Sequence, residues 1–161
     1  LSTTPSIPGL DGVTLEKKGD WVEAQTADSF QVQGTGKIQV AQYLVSQEAT
    51  EDKIGDPSQI QTVPVDLYRD QYAMMVPSDY SENWVTVIKP QGSSVEQGDT
   101  QLDQGGFTSF GDGTWEFAYV AVTPGVHIFT GDASFGLVAY GYNNAVSYGY
   151  PGGMSVGEGQ E

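Results

Sequence analysis

Alternation of apolar and polar residues in short runs, each stopped by Gly, Pro or Asp, is the feature that most narrows what this chain can become. Alternation places successive side chains on opposite faces of an extended backbone, and β-branched or aromatic residues suit such a half-buried ribbon. The predicted strands are Trp21–Thr26, Ser29–Val32, Lys37–Ser46, Ile60–Val63, Tyr72–Val76, Trp84–Lys89, Val95–Leu102, Trp115–Val122, Val126–Thr130 and Gly136–Tyr140. Turn-forming clusters separate them: Ala27-Asp28, Gly34-Thr35-Gly36, Gly55-Asp56-Pro57, Gly92-Ser93, Gly105-Gly106, Gly111-Asp112-Gly113 and Pro124-Gly125. Val65–Gln71 has room for one short helical turn, and no amphipathic helix competes with the strands. About ten short strands with regular punctuation predict an all-β fold, an antiparallel β-sandwich of the jelly-roll type. Residues 1–16 are expected to form an extended lead-in, 17–154 the sandwich, and 155–161 a loosely ordered polar tail.

Near the end of the chain, Tyr140-Gly141-Tyr142 and Ser147-Tyr148-Gly149-Tyr150-Pro151-Gly152-Gly153 interleave rings with glycine. Glycine lets backbone approach or turn beside a bulky ring, so this stretch points to packing and recognition. Its residue types are not those of nucleophiles, metal ligands or phosphate cradles.

The 161 residues include 21 acids, 6 basic residues and no cysteine, for a formal charge of −15. Phosphate backbones are gripped by Lys and Arg, so nucleic acid is excluded as a partner, and anionic membrane surfaces are disfavoured for the same reason. The absence of cysteine removes disulfides, thiolate zinc sites and a cysteine nucleophile. No apolar run is long enough for a membrane-spanning helix, so no membrane insertion is expected. High acidity, 21 glycines and many Gln, Ser and Thr resemble the composition of secreted bacterial β-proteins. Leu1-Ser2-Thr3-Thr4-Pro5 lacks the pattern of a signal peptide, which fits either a signal already removed or, the preferred reading, a segment of a longer chain.

No catalytic constellation emerges. Gly153-Met154-Ser155-Val156-Gly157 spells the nucleophile-elbow string, yet that motif needs a following helix and a later histidine, and the single histidine, His127, lies upstream. His127 sits in a predicted strand beside Phe129 and is expected to be structural. Gly34-Thr35-Gly36-Lys37 lacks the spacer and the hydroxyl residue of a phosphate loop and is expected to be a hairpin turn. A polysaccharide hydrolase would need two carboxylates facing each other across a cleft, and nothing singles out such a pair. The chain is therefore not expected to be an enzyme, and no cofactor is implied.

Two residue classes remain as candidate sites. Calcium takes hard oxygen ligands, and Asp52 with Asp56 are the metal candidates; Asp99 with Asp103 or Asp112 are further acidic loop residues. Trp and Tyr present an apolar face and a polar end, which suits sugar and protein surfaces. Of Trp21, Trp84, Trp115 and the tyrosines, Tyr80, Tyr142 and Tyr148 are the preferred ligand contacts, because turn positions leave rings accessible.

A series of motifs carries a family resemblance: Gly19-Asp20-Trp21-Val22-Glu23, Ile38-Gln39-Val40-Ala41-Gln42-Tyr43-Leu44, Ser46-Gln47-Glu48-Ala49-Thr50, Gly55-Asp56-Pro57-Ser58, Val63-Pro64-Val65, Asn83-Trp84-Val85-Thr86-Val87, Pro124-Gly125-Val126-His127 and the two Tyr-Gly motifs above. In that order, over about residues 19–154, the chain resembles the C-terminal half of the IgGFc-binding N-terminal domain family. The resemblance implies an extracellular β-rich module of a bacterial secreted or outer-membrane-anchored surface protein, without enzymatic activity. Because the family domain is usually longer, it also implies that the first half of the domain is absent here. The expected function is adhesion or recognition of a protein or glycan ligand through loops and exposed aromatics. The alternative is a structural role as a stalk or self-associating homo-oligomer.

Overall fold

One strand organises the molecule. In the computed structural model, which describes residues 1–156, Gly125–Asn143 runs as a single strand of 19 residues, β11. Eleven further strands surround it: β1 (Ser2–Thr4), β2 (Gln31–Gln33), β3 (Ala41–Tyr43), β4 (Gln59–Gln61), β5 (Arg69–Val76), β6 (Glu82–Pro90), β7 (Val95–Gln97), β8 (Thr100–Gln101), β9 (Thr108–Phe110), β10 (Trp115–Ala121) and β12 (Val146–Pro151). All pairings are antiparallel. The first part of β11 lies between β5 and β7, with β8 outside β7; its second part lies between β6 and β12, with β10 and β9 outside β6. Two ladders thus share one strand, giving an all-β antiparallel β-sandwich.

The junction explains why the sequence suggested two strands where one exists. Register against β5 shifts between Thr130 and Phe135, so β11 bends at a bulge without ending. Gly131 makes room there: a Cβ on it would stand 2.7 Å from Phe135 Cδ1. Asp132 then ties the bend to the start of β7, accepting from the Ser94 amide at 2.8 Å and its hydroxyl at 2.9 Å. The reverse happens at Val95–Leu102, where the Gly98 turn (φ 60°) splits one predicted strand into the hairpin β7–β8.

The inward faces of the ladders supply Tyr72 and Met74 from β5, Val85 and Val87 from β6, Val95 from β7, and Phe129, Phe135, Leu137 and Ala139 from β11, all buried in one cluster. Each large side chain buried this way contributes roughly 1.5–3 kcal/mol. Tyr72 meets Phe135 edge-on, centroids 5.0 Å apart, and its hydroxyl donates to the Phe135 carbonyl at 2.6 Å. His127 is satisfied at both ring nitrogens, by Gln97 at 2.8 Å and the Thr123 carbonyl at 2.6 Å, the structural role expected of it.

Residues before β5 form two small ladders, β1–β2 and β3–β4. Trp21–Thr26 forms no strand, with Trp21 77% exposed, and only Ala41–Tyr43 of the predicted Lys37–Ser46 forms a strand. The Gly34-Thr35-Gly36 segment is not a hairpin turn, because β2 pairs with β1 and β3 with β4. The helical turn expected near Val65 is present as a 3-10 turn over Val65–Leu67. No helix among the described residues is long and apolar enough to cross a membrane. Of the expected tail, residues 157–161 lie outside the described residues.

Candidate functional site

The alternation that buries Val85 and Val87 turns Trp84, Thr86 and Ile88 outward on β6. Register places Tyr119 of β10 and Val138 of β11 on either side of Thr86, and Tyr140 beside Trp84. An aromatic and hydroxylated outer sheet face results. Part of it is roofed by the β3–β4 ladder and by Tyr68, which follows the 3-10 turn.

Two glycines admit the roof. A Cβ on Gly136 would lie 2.3 Å from the Tyr68 ring, and one on Gly149 would lie 2.3 Å from Ile60 Cδ1. Any side chain there would push the covering layer away from the sheet. Tyr68 is further held edge-on against Trp115 at 5.8 Å. Hydrogen bonds steady the ladder itself: the Thr62 amide and hydroxyl both donate to the Val40 carbonyl at 3.0 Å.

Between roof and sheet lies a cavity of about 250 Å3. Gln42, Leu44, Ile60, Thr62, Val63 and Tyr68 form its roof side, and Thr86, Ile88, Tyr119, Val138, Tyr140 and Tyr142 its sheet side. No residue lining it carries a charge, although the chain bears −15 overall. Burial pushes the Tyr68 hydroxyl up to about 12, with a further push from Tyr72. Burial likewise pushes Tyr140 up to about 12, against a lowering interaction with the Thr86 side chain. Tyr142 is raised by burial first and then by Glu82 and Tyr119. The wall therefore offers neutral hydroxyls able both to donate and to accept, beside ring faces. Tyr119, 60% exposed, forms the open edge.

The sequence-predicted contacts fall in two places. Tyr142 lines the cavity from β11, and its ring meets Tyr140 at 5.8 Å. Tyr148, on β12 and outside any turn, packs against the core; its hydroxyl donates to Asn83 Oδ1 at 2.9 Å. Tyr80, in the loop before β6, stacks edge-on upon Tyr148 at 4.6 Å, and its carbonyl accepts from Asn83 Nδ2 at 3.1 Å. Tyr80 and Tyr148 thus form a hydrogen-bonded cluster apart from the cavity lining. Tyr68, Tyr119 and Thr86 were not singled out by the sequence, and Tyr140 was marked only as part of the Tyr140-Gly141-Tyr142 motif. Tyr140 and Tyr142 do alternate visibly, but only strand register shows which face they share.

Asp52 and Asp56 lie in the loop before β4. The Asp56 amide donates to Ser147 Oγ at 2.9 Å and the Gly55 amide to the Asn143 carbonyl at 2.8 Å, which fastens this loop to the β11–β12 turn. Among the described residues, no group of three or more His, Cys, Asp or Glu side chains is arranged to hold a metal ion.

Comparison with protein families matches residues 2–141 to the family described as IgGFc binding protein. The chain belongs to the IgGFc-binding protein family. Searches of curated proteins and of solved structures returned no match. The family match begins at residue 2 and thus includes β1 and the early loops; it stops at Gly141, just before the β11–β12 turn. The cavity residues from Gln42 to Tyr140 fall inside it, whereas Tyr142 and Tyr148 fall outside. Members of the IgGFc-binding family are typically extracellular binding domains, and the family is not one of known enzymes.

Proposed function

We propose that this domain is an extracellular recognition module of a secreted or surface-anchored protein, and that its outer-face cavity receives an uncharged, hydroxyl-bearing group of a protein or glycoprotein ligand, such as one sugar ring. The observation that carries this reading is a neutral, tyrosine-lined cavity in a strongly acidic chain. A volume of about 250 Å3 is smaller than a drug-sized pocket and suits a single ring better than an extended segment. Tyrosine rings offer flat apolar contact, and neutral phenols and threonine hydroxyls supply paired donors and acceptors. The family description names an antibody Fc, so a protein ligand belongs to the same reading.

Binding to a panel of glycans, glycoproteins and antibody Fc, with native protein and Tyr119→Ala in parallel, tests it. Tyr119 stands in the open edge of the cavity, so its loss should leave the fold intact and weaken any hit about tenfold or more. A hit that Tyr119→Ala leaves untouched places recognition elsewhere on the domain.

A second reading rests on a different surface. Met75 and Val126 are cross-strand neighbours, 66% and 67% exposed, and Ile128 beside Ala73 extends their apolar strip on β5 and β11. Such a strip favours self-association as a structural module. Sedimentation of native protein against Met75→Glu would test it, a shift from oligomer to monomer being the supporting result.

A further inference from the structure

Lys89 departs from the neutral interior around it. It follows Val85 and Val87 on the inward face of β6 and is fully buried. Its ammonium donates to the Ser93 carbonyl at 2.6 Å and to Gln104 Oε1 at 3.0 Å, and it pairs with Glu116. The Phe107 ring closes the site, its centroid 4.2 Å from Nζ. Glu116 is the direct cross-strand partner of Lys89 on β10, and its Oε1 also accepts from the Gly92 amide at 3.2 Å. Gln104 opens the 3-10 turn Gln104–Gly106, and its Nε2 donates to the Leu102 carbonyl at 3.1 Å. A primary amine shut away from water thus meets a carboxamide held at both ends and a carboxylate able to carry protons.

We propose that Lys89 and Gln104 become joined by an intramolecular isopeptide bond, with Glu116 as the proton carrier. A lysine amine is a competent nucleophile once it sheds its proton, and fixed proximity replaces the encounter that two separate molecules would need. Nζ gives one proton to the Glu116 carboxylate. Rotation of the Gln104 side chain brings Cδ to the neutral amine, whose lone pair forms the Nζ–Cδ bond while the carbonyl electrons move onto Oε1. Glu116 relays a second proton from Nζ to Nε2. The carbonyl re-forms, the Cδ–Nε2 bond breaks, and ammonia leaves, taking the first proton from Glu116 as ammonium. The carboxylate is restored, no electrons are gained or lost, and no further reactant is required. In a chain without cysteine, this bond would tie β6 covalently to the segment that follows the β7–β8 hairpin.

Intact-mass measurement of the folded protein tests the proposal, followed by proteolysis and sequencing of fragments. The expected result is a mass lower than the sequence mass by one ammonia, with a branched fragment joining the peptides of Lys89 and Gln104. Gln104→Ala changes an exposed turn residue, so it should fold and recover its full sequence mass without any branch. Glu116→Gln, if it folds, should do the same. A native mass equal to that of the sequence overturns the proposal. Loss of one water, with the branch at Glu116, also overturns it, because the acyl group would then come from the carboxylate.

Discussion

The ladders after Arg69 and those before it follow different rules. Strands β5, β6, β10 and β11 run from seven to 19 residues and enclose the main buried cluster. Strands β1 to β4 are three residues each, and the residues of this earlier part that reach the interior are isolated side chains: Ile60 within β4, Ile7 and Leu44 in the segments that follow β1 and β3. The later part is a framework held by continuous ladders and area burial. The earlier part is a cover, positioned by a few side chains that land on glycines of the framework. The cavity lies where the two meet, so its shape depends on the cover while its chemistry depends on the framework.

Cutting into the framework should have the largest effect. Phe129→Ala removes a fully buried ring from the shared strand and is expected to lower stability by about 3–5 kcal/mol, measured by denaturant unfolding. Ile60→Ala strikes the cover. It should lower stability by about 2 kcal/mol, and hydrogen exchange should accelerate around β3 and β4 well before β6. Equal acceleration in both places would erase the distinction between cover and framework.

Gly136→Ala addresses the seam between them. The added methyl collides with the Tyr68 ring, so the cover must shift, and overpacking of this kind costs about 1–3 kcal/mol. Ligand binding should fall with it, and trimming Tyr68 to Ala in the same chain should recover part of the stability.

Alkaline titration probes the seam more gently. Tyr68 and Tyr140 are pushed up to about 12 in the folded protein, from an ordinary value of 10.0. The unfolded chain therefore releases these protons first as pH rises. Their contribution to stability is complete below pH 10 and is lost between about pH 10 and 12. Melting temperature should hold steady up to the start of that window and fall within it, and Tyr68→Phe should make the fall shallower. The smallest effect concerns the Asp52–Asp56 loop. Protein hydrogen bonds already fasten it, so a calcium chelator should leave the melting temperature unchanged. A drop that Asp56→Asn abolishes would assign an ion to that loop.

The same contrast decides what could be seen in the sequence. Trp84–Lys89 and Trp115–Val122 coincide closely with β6 and β10, because strands with one face in the core must alternate. Trp21–Thr26 alternates as well, yet no neighbour pairs with it, so alternation alone proved insufficient. The expected break between Val126–Thr130 and Gly136–Tyr140 is a bulge within one strand, because the sequence does not show that Phe135 folds back over Gly131. The cavity was hidden for a related reason. Nothing local announces that Tyr68 and Ile60 will settle over Gly136 and Gly149, which lie far along the chain. Tyr142 was preferred as a turn residue, yet it reaches the cavity from strand β11; Tyr119 and Thr86 were not preferred, because their value comes from their cross-strand neighbours.

Sharing β11 between both ladders also bears on how the molecule comes apart. Stripping away β5 and β7 leaves half of that strand without partners, while stripping away β6 and β12 does the same to its other half. Neither half of the sandwich can be peeled off as an independent unit, because each would surrender a backbone the other needs. Tension applied along β11 would load hydrogen bonds on both of its flanks at once, in shear, so the strand that divides the fold geometrically makes it fail as one piece.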